Sequence, residues 1–396
     1  MESIRQQMIR RTSILLTLAL AVACSAGAPL SEQTVKSEIT RCPEASYIDG
    51  QEGKLKWNYT TGLELKAFLD ACPEDEAILN YVDAWYDAII DSTGKIGANY
   101  RFNNFTLDHI CPGFTLFPLY DKTGKEKYRA AMDSLYLQIK SQPRNKYEGF
   151  WHKRVYPNQM WLDGLYMAEP FYAEYTVRYI DDPLQRKRNF TDIAVQFILA
   201  WEKCYDEETG LPRHAWDASC YMGWSNPHTG KSEHAWGRAC GWYAMALVEV
   251  ISILPKGEDR DALLGILERL CTAIMKYTDP ETGMWYQVLD EPEREGNYVE
   301  ATASAMFTYV LLKATREGWI KGVSRSKALA KYRSLVKTFV TFGEDGLVNL
   351  NQCCEVAGLG GGRDGSFEYY IGENIVSNDP KGIGPLIWAS LEYEKK

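Results

Sequence analysis

Four glycine turns recur along the chain at nearly constant spacing. Each precedes a short strand-like segment, and successive turn glycines are separated by 61, 73 and 63 residues. The four glycines are Gly149, Gly210, Gly283 and Gly346. This period is too long for a tetratricopeptide-type unit and fits one helical hairpin plus a loop. The repeat therefore predicts a fold built from helical hairpins.

A helix rich in small and aromatic residues is predicted after each turn. These helices are apolar on more than one side, which is typical of a helix surrounded by other helices. They cover residues 157–175, 233–254, 297–315 and 380–393. Other stretches have one apolar stripe and one charged face, as expected for helices on the outside. They cover residues 75–90, 124–140, 188–205 and 260–277.

An all-α (α/α)6 barrel, with inner and outer helices and short strands at the pocket mouth, is the fold class that this alternation predicts. A flatter α-solenoid is the alternative, but its repeats would not need a turn and strand at the same end each time. Because no linker-like composition break divides the chain, we expect a signal over residues 1–23, a tether over 24–45 and one catalytic domain over 46–396. The loops and inner-helix N-termini should form a pocket at their shared end.

The N-terminal segment is typical of an export signal. Three arginines precede an apolar run over residues 14–22, and small residues stand directly before Cys24. This pattern resembles a bacterial lipobox, which would place a lipid anchor on Cys24 and tether the protein to a membrane. Ordinary signal cleavage nearby is the alternative. We expect an exported protein, either periplasmic or a membrane-anchored lipoprotein of a bacterial envelope.

The charge pattern argues against nucleic acid as a partner. The chain has 53 acidic and 44 basic residues, and no run of lysine or arginine stands out. No obligate protein partner is predicted. An acidic protein that binds an acidic ligand must place a few cations locally against its own field, so individual arginines and lysines matter more than the net charge.

No metal or cofactor site is predicted. The chain has no H-E-x-x-H pattern, no C-x-x-C pair and no glycine-rich phosphate loop. Most of the nine cysteines after Cys24 are interpreted as small core residues. An exported protein could still form a disulfide, and a pair between Cys42 and Cys72 is conceivable.

An aspartate beside a tryptophan is predicted near the start of the inner helix at 157–175. Trp161 and Asp163 follow Pro157, which suits a helix start, so both should face the pocket mouth. Burial beside an indole would disfavour the carboxylate and keep Asp163 partly protonated, as a general acid requires. An ordinary first-turn aspartate favoured by the helix dipole is the alternative.

Asp108 lies in a second polar cluster, over residues 103–109. As a second carboxylate it would hold Asp163 in its protonated form by like-charge coupling, or orient a water molecule. The alternative is that its side chain caps the segment that starts at Ile110.

Two later residues are candidate pocket walls. Trp236 and Arg238 occupy the positions that Trp161 and Asp163 occupy one repeat earlier. Tryptophan stacks on sugar rings, and arginine offers a fork for a carboxylate. Alternatively, Trp236 packs in the core and Arg238 pairs with a structural acid. Further candidates are Tyr59, His152, Lys153 and His214.

Taken together, these segments resemble glycoside hydrolase family 105, the unsaturated rhamnogalacturonyl hydrolases. The matching segments are residues 57–59, 156–169, 235–249, 372–374 and 378–385. The most specific of them read Pro-Asn-Gln-Met-Trp-Leu-Asp-Gly and Trp-Gly-Arg-Ala-Cys-Gly-Trp. The resemblance also implies the (α/α)6 barrel that the repeat predicts independently.

The resemblance implies an enzyme that removes a C4=C5 unsaturated galacturonyl residue from rhamnose by hydrating the double bond. The products would be rhamnose and a 5-keto-4-deoxyuronate, and the expected partner is a small acidic oligosaccharide. Asp163 matches the general acid and base, and Asp108 the second acidic residue. The substrate-contacting positions of the family correspond in this chain to Tyr59, His152, Lys153, Trp161, His214, Trp236 and Arg238.

Three alternatives remain open at this point. An unsaturated β-glucuronyl hydrolase would use the same hydration on another lyase product. An inverting glycosidase with the same barrel would act on saturated sugars. A surface lipoprotein could bind oligosaccharides in an aromatic pocket without cleaving them.

Overall fold

The computed structural model describes residues 27–395, so the predicted export signal and Cys24 lie outside the described residues. Six inner elements surround a common axis within this part of the chain. They are α2 (Tyr59–Ala71), the 3-10 segment Cys111–Thr115 continued by α4 (Leu116–Thr123), α6 (Leu162–Tyr179), α8 (Gly237–Ile253), α10 (Ala301–Arg316) and α13 (Pro380–Glu394). Each packs against its two neighbours, and α13 closes the ring against α2. The closed ring confirms the (α/α)6 barrel and excludes the solenoid.

Six further helices lie outside this ring. They are α1 (Leu30–Arg41), α3 (Glu76–Ile89), α5 (Glu126–Lys140), α7 (Pro183–Cys204), α9 (Glu258–Ile274) and α11 (Arg325–Phe339). Each packs on one or two inner elements. A single-turn helix, α12 (Phe367–Gly372), lies at the pocket end. None of the helices within residues 27–395 combines the length and apolar character that crossing a bilayer requires.

Close approach between inner elements depends on glycines. A β-carbon at Gly62 of α2 would lie 2.6 Å from the backbone Cα of Pro112. A β-carbon at Gly241 of α8 would lie 2.6 Å from the sulfur of Met306 on α10. The small residues that mark the inner helices in the sequence therefore allow the helices to pack at short range.

Short antiparallel hairpins follow five of the outer helices, all at the pocket end. Their isolated bridges are Ile90–Ile96, Arg144–Phe150, Tyr205–Pro212 and Thr278–Trp285, and the fifth is the pair β3 (Val340–Phe342) and β4 (Val348–Leu350). The hairpin at residues 90–96 is a fifth copy of the repeat that the sequence pattern missed. In the second copy the left-handed residue is Glu148 (φ 68°), not the glycine after it. Gly149 serves packing instead, since a β-carbon there would lie 2.2 Å from Met160 Sδ.

Two more strand pairs shape the pocket mouth. Strand β1 (Gln159–Trp161) pairs antiparallel with β2 (Ala215–Asp217), placing Trp161 opposite Ala215. Strand β5 (Cys353–Cys354) pairs with β6 (Ile375–Val376). The start of α6 was predicted at Pro157, but β1 intervenes and the helix begins at Leu162. The left-handed backbone of Asn158 (φ 63°) directs the chain into the strand.

The predicted tether over residues 24–45 is wrong from Leu30 onward, because Leu30–Arg41 forms α1 and completes the outer ring. The buried face of α1 consists mostly of Ser31, Thr34, Ser37 and Glu38, so no apolar stripe reveals it in the sequence. The domain therefore begins near residue 30 rather than 46. The conceivable disulfide does not form either, since Cys42 and Cys72 are both free thiols.

Candidate active site

The first turns of the inner helices carry the candidate residues. Tyr59 opens α2, while Asp163 and Arg238 are each the second residue of their helix. Trp161 and Trp236 immediately precede α6 and α8 as N-cap residues. The positional equivalence predicted between the two Trp-containing motifs is therefore confirmed.

Asp163 lies against a buried histidine. Asp163 Oδ2 and His214 Nε2 are 3.3 Å apart, and neither atom has a hydrogen-bond partner among the residues that the structure describes. The other ring nitrogen, His214 Nδ1, lies 2.7 Å from the hydroxyl of Tyr370. Burial raises the pKa of Tyr370 well above its ordinary value, so its hydroxyl stays protonated and can donate to Nδ1. With Nδ1 accepting from Tyr370, the Nε2 proton of His214 faces Asp163.

The pKa of Asp163 is lowered, contrary to the expectation of a partly protonated acid. Burial raises the pKa, but the contact with His214 outweighs it. Like-charge coupling to Asp108 is not among the causes. Asp163 is therefore ionised at neutral pH in the unliganded pocket, with 15% of its side chain open to solvent.

Asp108 is held by two basic side chains. Lys153 Nζ lies 2.5 Å from Asp108 Oδ2, and His152 Nε2 lies 3.4 Å from Oδ1. Burial would raise the pKa of Asp108, but the paired ammonium of Lys153 lowers it overall. The side chain makes no capping hydrogen bond to the segment after Ile110, so the cap interpretation is wrong. Burial lowers the pKa of His152 to about 4, which keeps this imidazole neutral.

Aromatic rings enclose Asp163 on the side of β1. Trp161 stacks on His152 at 4.7 Å and on Tyr156 at 5.0 Å between ring centroids, and its edge meets His214 at 5.5 Å. The indole N–H donates to Gln159 Oε1 at 3.1 Å. These contacts fix the orientation of Trp161 beside the aspartate.

Trp236 and Arg238 lie behind this layer, each 1% exposed. Trp236 packs against His214 at 4.8 Å and stacks on Tyr370 at 5.8 Å. Arg238 lies over Trp236 and donates to the backbone carbonyls of Cys354 and Glu355. Trp236 therefore packs in the core, as one of the two interpretations expected, whereas Arg238 pairs with carbonyl groups rather than with a structural acid.

Tyr59 connects the candidate residues to an open cavity of about 400 Å3. Asp108, Glu355 and Lys381 also line this cavity. Burial raises the pKa of Tyr59, and its hydroxyl experiences the charges of Arg238, Asp108 and Asp163. All four groups thus surround the same end of the barrel axis.

Sequence reasoning missed Tyr370 and Tyr156. Tyr370 reaches His214 from α12, 156 residues further along the chain. No local pattern could have indicated this contact, since it depends on the closure of the ring. Tyr156 precedes the specific segment at Pro157, and stacking on Trp161 could have been suspected from that proximity.

Comparisons with known proteins agree with the observed fold. A model of Glycosyl Hydrolase Family 88 matches residues 30–396. A solved glycoside hydrolase from family 105 of C. acetobutylicum is 42% identical, with a TM-score of 0.87 over 93% of this chain and 100% of that chain.

Two more distant relatives carry functional names. The unsaturated rhamnogalacturonyl hydrolase YesR of Bacillus subtilis is 24% identical over 329 residues, which is 80% of this chain and 84% of that protein. An unsaturated glucuronyl hydrolase from Bacillus sp. GL1 is 12% identical, with a TM-score of 0.64 over 92% of this chain and 95% of that chain. The second likeness shows the fold alone.

Proposed function

The chain belongs to glycoside hydrolase family 105, and we propose that it removes the unsaturated galacturonyl residue from rhamnogalacturonan-derived disaccharides. The observation that carries the proposal is the contact of Asp163 with His214, beside a second carboxylate held by Lys153. The similarity to YesR, at 24% identity, supports rhamnose as the leaving sugar.

Asp163 is the group that transfers the proton in this proposal. Its carboxyl proton goes to C4 of the C4=C5 double bond, leaving positive charge on C5 and the ring oxygen. Asp163, now a carboxylate, accepts a proton from the water that attacks C5. One water is consumed, the double bond is lost and a hemiketal forms at C5.

The hemiketal then opens without further help from a cofactor. The bond between C5 and the ring oxygen breaks, giving a ketone at C5 and a hydroxyl on C1. The hemiacetal at C1 collapses to an aldehyde and releases rhamnose with its oxygen. No bond between the anomeric carbon and the enzyme forms at any step.

Substrate binding supplies the protonated form that the free site lacks. The uronate adds a negative charge close to Asp163 and displaces water from the 15% of the side chain that is open. Both effects disfavour the carboxylate and raise the pKa of Asp163. His214 Nε2–H can stabilise the carboxylate when it re-forms after proton transfer.

The loss of the double bond can be followed by ultraviolet absorbance. We expect wild type to consume the unsaturated galacturonyl-rhamnose disaccharide and Asp163→Asn to lose at least about a thousandfold in rate, because one group serves as acid and base. Asp181→Asn, an exposed aspartate beyond α6, is the matched control and should keep full activity. Consumption of an unsaturated glucuronyl disaccharide instead would favour the glucuronyl alternative, and no consumption of either would exclude hydration.

We propose further that the protein is exported and lipidated on Cys24, on the strength of the arginines, apolar run and small residues that precede this cysteine. Expressed in a bacterium with lipoprotein processing, the full chain should partition into detergent and carry a diacylglyceryl group detectable by mass spectrometry. Cys24→Ser should partition into the aqueous phase. Equal partitioning of both forms would leave ordinary cleavage as the explanation.

A further inference from the structure

A second layer of side chains lies outside Trp161, and we call it the outer wall. It consists of Tyr156, Met222, Trp224, Leu359 and Arg363. Leu359 is fully buried, and with Trp224 it packs on Trp161 and Ala215 in a small cluster separate from the barrel core. Tyr156 and Met222 pack on the same cluster and are partly exposed. The outer wall therefore packs directly on Trp161 of the candidate site.

A glycine-rich loop holds this wall together. A β-carbon at Gly358 would lie 3.4 Å from Trp161 Cζ3, and one at Gly360 would lie 3.9 to 4.0 Å from Met222, Trp224 and Tyr156. The loop is fixed by reciprocal backbone hydrogen bonds between Gly360 and Arg363 of 2.9 and 3.2 Å. The hydroxyl of Tyr369 accepts a further bond from the Gly358 N–H at 3.0 Å.

Arg363 is presented from this loop toward Trp161. Its Nη1 atom lies 2.6 Å from the point where a β-carbon of Gly358 would be, next to the Trp161 ring. Its side chain is partly exposed and forms neither an ion pair nor a hydrogen bond with any residue in the described part of the chain. The neighbouring carboxylate, Asp364, accepts hydrogen bonds from the N–H and the hydroxyl of Ser366.

Three other cations near the pocket are already engaged. Lys153 is paired with Asp108, and Lys381 Nζ lies 2.9 Å from Asp379 Oδ2. Arg238 donates to two backbone carbonyls and is almost fully buried. Arg363, beside Trp161, is a guanidinium whose donors are available for a ligand.

The position of Arg363 indicates which part of a substrate it reaches. The unsaturated ring must contact Asp163 for proton transfer, and Asp163 touches His214, which in turn meets the edge of Trp161. Arg363 lies at the Cζ3 edge of Trp161 and forms no hydrogen bond or ion pair with Asp163 or His214. A guanidinium there faces the leaving part of the oligosaccharide rather than the reacting ring.

We propose that Arg363 binds an acidic group on the leaving part of the substrate, an assignment that rests on the proposed function. Tyr156 and Trp224 form the apolar surface beside this guanidinium. A guanidinium binds carboxylates and sulfates through paired N–H donors, so both groups fit. In rhamnogalacturonan fragments the carboxylate would come from the next galacturonate, and in modified polymers a sulfate would come from the leaving sugar itself. The preferred substrates are therefore longer or sulfated unsaturated oligosaccharides.

Three unsaturated substrates test this assignment: the galacturonyl-rhamnose disaccharide, the tetrasaccharide that contains one further internal galacturonate, and a disaccharide sulfated on the leaving rhamnose. Arg363→Gln should lower kcat/KM about tenfold on the tetrasaccharide or the sulfated disaccharide and less than about twofold on the plain disaccharide. Arg333→Gln, an exposed arginine on α11, removes the same charge and should change none of the three. The plain disaccharide also reports whether the variant is folded.

A loss confined to the tetrasaccharide assigns the carboxylate, and a loss confined to the sulfated disaccharide assigns the sulfate. An equal loss on all three substrates, or no loss on any, overturns the proposal. Calorimetric binding of the same substrates to Asp163→Asn, with and without Arg363→Gln, separates this result from the proposed function. If wild type consumes no double bond, the proposed function fails, while the binding difference still decides the role of Arg363.

Discussion

The protonation state of the Asp163 carboxyl depends on a few atomic contacts. Its contact with His214, at 3.3 Å, lowers a pKa that burial alone would raise. His214 can offer its Nε2 proton because Tyr370 occupies Nδ1 at 2.7 Å. Tyr370 is thus a positioning residue that acts on Asp163 through an imidazole.

The pH dependence of catalysis should reveal the change in Asp163 on binding. The fall of kcat/KM with rising pH follows the pKa of Asp163 in the free enzyme, where this pKa is lowered. The fall of kcat follows the pKa of Asp163 in the enzyme–substrate complex. Because the bound uronate raises the pKa, the fall in kcat should occur at higher pH than the fall in kcat/KM. Steady-state rates from about pH 4 to about pH 9 measure the fall in kcat, whereas kcat/KM should already be falling at the acidic end of this range. Coincident limbs would contradict the role given to substrate binding.

Removal of the Tyr370 hydroxyl should impair the reaction without unfolding the protein. In Tyr370→Phe, His214 Nδ1 loses its donor and the imidazole can adopt the tautomer that turns a lone pair toward Asp163. We expect kcat to fall about ten- to hundredfold, with little change in KM. Tyr332→Phe is the control, because this buried tyrosine bonds Ser390 at 2.8 Å away from the site. Equal effects of both substitutions on kcat would mean that Tyr370 acts only through stability.

At the scale of elements, inner helices are constrained differently from outer ones. An inner helix is packed on most sides and approaches its neighbours through glycine, as α2 does at Gly62. An outer helix exposes one face, as α9 does at Gly265, where a β-carbon would meet no atom within 4 Å. The same residue type therefore has opposite effects in the two rings.

Alanine substitution at these two glycines should have opposite effects on stability in the inner and outer rings. Gly62→Ala would bring a β-carbon to 2.6 Å from the backbone of Pro112, so we expect a loss of about 1–3 kcal/mol in the free energy of unfolding. Gly265→Ala should raise this free energy by about 0.5–1 kcal/mol, because alanine loses less backbone entropy in a helix. Urea unfolding of both variants measures the two changes in the free energy of unfolding. A stabilising effect at Gly62 would contradict the close approach of α2 to the segment at Cys111.

The whole molecule depends on α1 for closure of the outer ring, and α1 brings an acidic group into the interior. Glu38, 5% exposed, lies 2.5 Å from Arg41 and faces the buried Glu64 of α2. Burial exceeds the attraction of Arg41 and raises the pKa of Glu38 from 4.5 to about 7. The pKa of Glu64 is also raised, by burial and by Glu38, Asp379 and Asp49.

Stability should therefore fall as the pH rises through this range. A raised carboxyl pKa means that the folded chain binds more protons than the unfolded chain between pH 4.5 and about 7. This stabilisation is complete below the lower value and is lost on ionisation, up to about 3 kcal/mol. Wild type should lose this amount relative to Glu38→Gln between about pH 5 and about pH 8 in urea unfolding. Glu32→Gln, on an exposed face of α1, should follow wild type, and parallel pH curves for all three would refute the buried-acid account.

Local patterns in the sequence determined most of the architecture. The glycine turns and the small, aromatic inner helices such as 233–254 predict helical hairpins, because turn geometry and apolar periodicity are properties of neighbouring residues. The same reasoning placed Asp163 in a first turn at the pocket end. It failed for α1, whose buried face is polar, and it missed the hairpin at Gly94.

Only the tertiary structure decided what the candidate residues can do. The charge state of Asp163 depends on His214, the tautomer of His214 depends on Tyr370, and Trp161 meets Arg363, which lies 202 residues later in the chain. These contacts arise from closure of the ring, which brings distant segments to one end of the axis. Electrostatic and hydrogen-bonding effects act over a few ångströms in space, so sequence distance carries no information about them.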